Sequence, residues 1–95
     1  MDSEKSIEQY LVKKARDVGG KAWKFVSPGN MGVPDRVVTF STGQVVFAEV
    51  KCETGRLSDP QKNQIKKLKS LNQAVKVVYS KKDVDDLVAE FGGKV

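Results

Sequence analysis

The sequence predicts an α/β fold in which a mixed β-sheet is flanked by helices, in the order α-β-β-β-α-β-α. Apolar residues recur at helical spacing near the start, β-branched and alternating segments follow, and Pro60 stands where a second helix would begin. The chain has 95 residues, of which 39% are hydrophobic and 31% charged. That size and balance are typical of one globular domain, which we expect to cover residues 1–95.

The first half of the chain predicts one helix and three strands. In chain order these are a helix over residues 3–18 and strands over residues 21–27, 35–40 and 45–51. Ser3 or Ser6 would cap the helix, and the Gly19-Gly20 pair would end it. The second and third strands are predicted to form a hairpin, because Thr42-Gly43 between them is a turn sequence.

The second half predicts two helices separated by an interior strand. These are a helix from Pro60 to about Asn72, a strand over residues 74–79 and a closing helix over residues 83–91. Proline is favoured in the first turn of a helix, where its missing N–H has no partner to lose, and Ser58 or Asp59 would cap that helix. The strand is apolar on both sides, which indicates an interior place in the sheet.

The composition excludes several kinds of catalytic and metal site. The chain has no histidine, so a Ser-His-Asp triad and every histidine-containing zinc site are excluded. Its single cysteine, Cys52, excludes a four-cysteine zinc site and an internal disulfide, which fits a reducing compartment. Any bound metal must therefore use oxygen ligands, as Mg²⁺, Mn²⁺ and Ca²⁺ do. No apolar run approaches the length of a membrane span, so we expect no membrane partner.

The charge of the chain favours an anionic partner. There are 17 basic and 12 acidic residues, a net charge of +5. Nucleic acid is the first candidate for such a partner and acidic lipid a distant second. The alternative is a protein that is basic for no functional reason.

Two carboxylates and a lysine are predicted to meet at the end of the hairpin. Side chains alternate along a strand, so Glu49 and Lys51 share one face while the residues between and before them point into apolar packing. Hairpin pairing brings the start of the preceding strand, with Asp35, beside them. Such a group suits a hard divalent cation, with the lysine orienting or deprotonating a water or stabilising a phosphate charge. Each residue alone also has an ordinary reading, as a turn residue or a surface ion pair.

These residues match a known motif. Pro34-Asp35 followed by Glu49-Val50-Lys51 resembles the PD-(D/E)XK nuclease motif. The surrounding sequence resembles the VRR-NUC branch (virus-type replication-repair nuclease) at residues 7–11, 32–36, 47–51 and 55–61. The likeness continues to about Asp85 and is closest to the small stand-alone phage and bacterial members. It implies a restriction-endonuclease-like fold and a cytoplasmic location in a bacterial or phage-infected cell.

The resemblance implies a role for each motif residue. Asp35 and Glu49 would bind the metal with the backbone carbonyl of Val50, and Lys51 would contact the attacking water or the scissile phosphate. Gln61 matches a glutamine that the family places on the second helix.

The family also places a glutamate on the first helix. We expect this residue to be Glu8, at the margin of the apolar stripe, with Glu4 as the alternative. Arg36, directly after Asp35, and Arg56, in the loop that follows the motif, are expected to contact the DNA backbone.

The resemblance implies an Mg²⁺- or Mn²⁺-dependent DNA endonuclease that cuts branched DNA, with four-way junctions foremost, as a homodimer. Two other functions stay open on the sequence. One is a catalytically silent nucleic-acid-binding module of the same fold, and the other is a structural or interaction protein whose charged strand ends form ordinary ion pairs.

Overall fold

The structure, a computed structural model, describes residues 1–93. In chain order its elements are α1 (Glu4–Asp17), β1 (Lys21–Lys24), β2 (Arg36–Thr39), β3 (Val45–Val50), α2 (Asp59–Ser70), β4 (Val75–Val78) and α3 (Lys81–Phe91). The predicted order is confirmed. Residues 94 and 95, the end of the predicted domain, lie outside the described residues.

Several predicted boundaries are wrong by a few residues. Strand β1 ends at Lys24 rather than at residue 27, because its register with β2 ends at the Lys24–Arg36 pair and is followed only by the bond from the Phe25 N–H to the Asp35 carbonyl. Helix α3 begins at Lys81 rather than at residue 83, because Ser80 caps it and accepts a hydrogen bond from the Asp83 N–H. Ser3 and Ser58 cap the other two helices in the same way.

The sheet has four strands in the order β1-β2-β3-β4. The first three pair antiparallel, which confirms the predicted hairpin, whereas β4 runs parallel to β3. Parallel neighbours need a crossover connection, and α2 provides it. The carboxyl ends of β3 and β4 consequently lie side by side, and the N–H of Lys51 donates to the carbonyl of Val78 at 2.9 Å.

Helices α1 and α3 cover one face of the sheet. Their buried residues, among them Ile7, Leu11 and Leu87, pack against the side chains of alternate strand positions, including those of Val46 and Ala48 in β3. Because side chains alternate along a strand, the intervening residues of β3 point to the opposite face, on the side of α2. Within residues 1–93, no helix combines the length and apolar character that crossing a lipid bilayer requires.

Candidate active site

The antiparallel pairing of β2 and β3 places Asp35 beside Glu49. The last pair of this ladder is Arg36 with Ala48, so Asp35 and Glu49 occupy the next position along. Asp35 Oδ2 accepts a hydrogen bond of 2.8 Å from the backbone N–H of Val50. The carboxylate of Asp35 is therefore held against the carboxyl end of β3 by a contact between residues far apart in the chain.

Glu49 carries a buried carboxyl group, and its residue surface is only 2% exposed. Its Oε2 accepts a hydrogen bond from Gln61 Nε2 at 3.0 Å, whereas its buried Oε1 has no hydrogen-bond partner among the described residues. Burial and, after it, the nearby charge of Asp35 raise the pKa of Glu49 to about 7, and the charge of Lys51 opposes both.

Lys51 lies on the same side of the strand as Glu49, as the alternation predicts. Its Nζ is 3.9 Å from Glu49 Oε2, and its side chain is 15% exposed. The loop after β3 passes close to its stem, since a Cβ on Gly55 would lie 3.3 Å from the Cβ and Cδ of Lys51. The lysine is thus confined near the carboxylates, with its ammonium group partly open to solvent.

Gln61 connects the start of α2 to the carboxylates. Its Oε1 accepts a hydrogen bond from the Ser58 N–H at 2.8 Å, while its Nε2 donates to Glu49. The amide oxygen thus closes the capping box of α2, and this orients the amide NH₂ group toward the carboxylate. The side chain of Gln61 therefore both caps α2 and contacts the proposed site.

Gly32 fixes the loop before Asp35 against the start of α2. Its φ is +89°, and a Cβ at this position would lie 2.5 Å from the carbonyl carbon of Pro60 and 2.7 Å from the nitrogen of Gln61. The sequence indicates only that this loop is rich in turn formers. A glycine shortly before a Pro-Asp pair is the available signal, but nothing in the sequence tells which segment the loop contacts.

Glu8 forms an ion pair with Arg36 and is not grouped with the carboxylates of Asp35 and Glu49. Arg36 Nε donates to Glu8 Oε2 at 2.8 Å, and another guanidinium nitrogen donates to the Ala22 carbonyl at 3.2 Å. Arg36 pairs with Ala48 and so lies on the α1 face, opposite to the face of Glu49. Glu4, the alternative first-helix residue, is exposed in the first turn of α1.

Asp35 and Glu49 form a pair of carboxylates rather than a larger acidic cluster. Within residues 1–93, no group of three or more histidine, cysteine, aspartate and glutamate residues is placed to hold a metal ion. The residues present nevertheless fit a hard cation, because their donors are oxygens and Glu49 Oε1 is buried without a partner among the described residues. Val50, whose backbone carbonyl is the third expected ligand, donates its N–H to Asp35.

Arg56 lies on the loop between β3 and α2. It is exposed and lines a pocket of about 280 Å³ together with Gly55, Leu57, Lys62 and Tyr79. The sequence predicts a DNA contact for Arg56 but no role for Tyr79. Nothing local in the sequence marks Tyr79, since its place beside Arg56 depends on the parallel pairing of β3 with β4.

Comparisons with known proteins agree with one another on the family. A family model of the VRR-NUC domain matches residues 2–82. A protein of Acyrthosiphon pisum secondary endosymbiont phage 1, named "Putative nuclease p44", is 38% identical over 85 residues, which cover 90% of this chain and 90% of that protein. A solved structure described as a VRR_NUC domain has a TM-score of 0.82 and 26% sequence identity, covering 92% of this chain and 96% of the other.

Proposed function

The chain belongs to the VRR-NUC domain family of nucleases, and we propose that it is a metal-dependent endonuclease that hydrolyses phosphodiester bonds in DNA. The observation that carries this proposal is the buried carboxyl group of Glu49. It lies beside Asp35 and keeps one oxygen, Oε1, without a partner among the described residues. A buried polar atom left without a partner destabilises a fold, so its presence supports a functional role for that oxygen.

The carboxylates of Asp35 and Glu49, with the backbone carbonyl of Val50, would hold Mg²⁺ or Mn²⁺. When bound, the ion supplies positive charge that stabilises developing negative charge on phosphate oxygens and lowers the pKa of a coordinated water. The oxygen-only donor set supports this choice of metals, since the chain contains no histidine.

The remaining site residues act through their own polar groups. The ammonium group of Lys51, 3.9 Å from Glu49 Oε2, would donate a hydrogen bond to the attacking water or to an oxygen of the scissile phosphate. Gln61 holds Glu49 Oε2 through its amide and so orients the other carboxylate oxygen. We propose that Glu8 acts through Arg36, which directly follows Asp35 and which it binds at 2.8 Å.

We propose that the substrate is branched DNA, with four-way junctions foremost, and that the enzyme is a homodimer. The described chain extends only 36 × 32 × 20 Å, which leaves one copy little surface for a branched substrate. A two-fold pair would present one site to each of two strands. Arg36 and Arg56 are proposed contacts to the DNA backbone, although the side chain of Arg36 is only 14% exposed and is paired with Glu8. Sedimentation of the protein with and without a junction would measure the stoichiometry.

We propose that the protein acts in the cytoplasm of a bacterial or phage-infected cell. The single cysteine fits a reducing compartment, and the relative at 38% identity is a phage protein. Fractionation of infected or expressing cells would check this location.

A cleavage assay tests the function. Alanine at Asp35, Glu49 or Lys51 should lower the cleavage of a panel of forks, flaps, four-way junctions and duplexes by a factor of about a hundred or more in Mg²⁺ or Mn²⁺. DNA binding should be largely retained. The matched control is Glu53→Ala, because Glu53 is an exposed acid two residues after Lys51, and this variant should cut like the wild type.

The same assay distinguishes the alternative of a silent nucleic-acid-binding module. The net charge of +5 favours that alternative as well, because it supports DNA binding of either kind. Binding without any Mg²⁺- or Mn²⁺-dependent cutting would favour the silent module. Continued cutting by the Lys51→Ala variant would show that the role assigned to Lys51 is wrong.

A further inference from the structure

A basic pocket adjoins Lys51 at the carboxyl ends of β3 and β4. Its lining residues are Gly55, Arg56, Leu57, Lys62 and Tyr79, and its volume is about 280 Å³. Tyr79 follows directly on the last residue of β4, Val78, whose carbonyl accepts the N–H of Lys51. Gly55 in turn packs against the stem of Lys51. The pocket and the proposed cleavage site therefore share the same end of the sheet.

The charge of this pocket is positive. Arg56 and Lys62 both line it, whereas none of its five lining residues is acidic. Both cations are exposed, and neither takes part in a salt bridge between the described residues. Two cations without a carboxylate partner in this part of the chain are typical of a site for a phosphate group.

The pocket also has an apolar side. Tyr79 and Leu57 both line it, and both residues are half-buried. The backbone of Tyr79 is held in place, since its N–H donates to Asp83 Oδ2 at 2.8 Å. An aromatic ring on a fixed backbone beside two cations can pack against a sugar or a base while the cations hold a phosphate.

We propose that this pocket binds the nucleotide next to the scissile phosphate, with Arg56 and Lys62 on its phosphate and Tyr79 against its sugar or base. The proposal rests on the proposed nuclease function of the adjacent Asp35 and Glu49. The pocket is slightly smaller than the ~300–1,000 Å³ of common ligand sites, so it holds one nucleotide rather than a longer segment. Phosphate and stacking contacts carry no base code, so binding is independent of sequence.

The first test measures nucleotide binding without cleavage. Thymidine 3′,5′-bisphosphate is titrated calorimetrically into the full chain at low salt in EDTA. Arg56→Ala and Lys62→Ala should each weaken the affinity for the bisphosphate about tenfold, because each variant loses a charge-assisted contact to phosphate. The matched controls are Arg16→Ala on α1 and Lys69→Ala in the last turn of α2; neither residue lines the pocket, and both variants should bind like the wild type.

The second test concerns the ring of Tyr79. Tyr79→Phe keeps an aromatic face and should bind the bisphosphate within about twofold of the wild type, whereas Tyr79→Leu keeps apolar volume without that face and should bind several-fold more weakly. If the Tyr79 variants fail to fold, the exposed residues Arg56 and Lys62 still carry the test.

Failure of this inference can be told apart from failure of the proposed function. Wild-type protein that cuts DNA but binds the bisphosphate no better than the Arg56→Ala and Lys62→Ala variants would overturn the pocket and leave the nuclease intact. Bisphosphate binding that depends on these residues, in a protein that cuts no DNA in Mg²⁺ or Mn²⁺, would support the pocket and overturn the proposed nuclease.

Discussion

Folding stability favours a neutral carboxyl group at Glu49, whereas the proposed activity requires the charged form. Burial disfavours the charged form of its carboxyl group, and the neighbouring charge of Asp35 adds to that effect. Only one of its oxygens is hydrogen-bonded within the described protein, to Gln61. A side chain chosen for folding alone would be neutral at this position. A cation at the proposed metal site would offset the negative charge of this carboxylate.

The pKa of Glu49 predicts how stability depends on pH in the absence of metal. The folded value is about 7 and the ordinary value is 4.5. The folded state therefore binds the proton more tightly than the unfolded state does. The resulting stabilisation is complete below pH 4.5 and is lost as the pH rises through about 7. Glu49→Gln should raise the free energy of unfolding by about 1–3 kcal/mol at pH 8 and by much less at about pH 4.

Urea unfolding in EDTA at the two pH values measures this difference. Glu53→Gln is the control, since Glu53 is exposed and its substitution should leave the free energy of unfolding unchanged. A Glu49→Gln variant that is no more stable than the wild type at the higher pH would contradict the prediction.

Glu8 and Glu4 lie one helical turn apart but differ in their contacts. Glu8 binds Arg36, whereas Glu4 is exposed in the first turn of α1. Glu8→Gln should therefore lower the cleavage rate about tenfold or more, because a partner that orients a residue next to the site typically has an effect of that size. Glu4→Gln should cut like the wild type. Single-turnover cleavage measures both, and equal rates for the two variants would rule out the role proposed for Glu8.

The start of helix α2 is the element on which the site depends most. Its capping box orients Gln61 toward Glu49, and its first turn lies against the loop that precedes Asp35. Local interactions form the cap, since Ser58 and Gln61 are three residues apart. The contact with the loop is different, because it joins segments separated by two strands.

Two glycines of that loop allow a matched comparison. Gly29 and Gly32 both have positive φ angles, of +83° and +89°, but of the two only Gly32 has other atoms within 4 Å of the point where a Cβ would lie. Alanine at either position should destabilise the fold by about 1–2 kcal/mol through the backbone angle. Gly32→Ala should add a further ~1–3 kcal/mol through contact with Pro60 and should also slow cleavage, since Gln61 would shift.

Urea unfolding and cleavage of the same junction substrate measure both effects. Equal losses of stability and unchanged cleavage in the two variants would show that the contact between Gly32 and α2 has no importance for the site.

The whole molecule carries a net charge of +5, and this charge should govern its affinity for DNA. For the Asp35→Ala variant, binding to a four-way junction should weaken steeply as salt increases. Adding Arg56→Ala or Lys62→Ala should reduce the slope of log affinity against log salt by about 1 each, because each removes one phosphate contact. Lys13→Ala should leave the slope unchanged, since Lys13 is paired with Asp17 at 2.8 Å. Fluorescence anisotropy over a salt series measures these slopes.

Most of the fold was predictable because it follows from local periodicity. The order of helices and strands, the hairpin and the family are confirmed. The shared side of Glu49 and Lys51 also follows from alternation along one strand. Helix and strand ends were less predictable, because they depend on where a partner strand begins or which serine forms the cap.

The neighbours of each site residue depend on how distant segments pack. The bond between Glu8 and Arg36 joins residues 28 positions apart, and that between Gln61 and Glu49 joins a helix start to a strand. Tyr79 lines the same pocket as Arg56 because β4 pairs parallel to β3. Short-range sequence patterns predict which face of a helix or strand a side chain lies on. Its contact partners depend on the register of the sheet and on where the helices lie against it. Both are set by the packing of the whole chain.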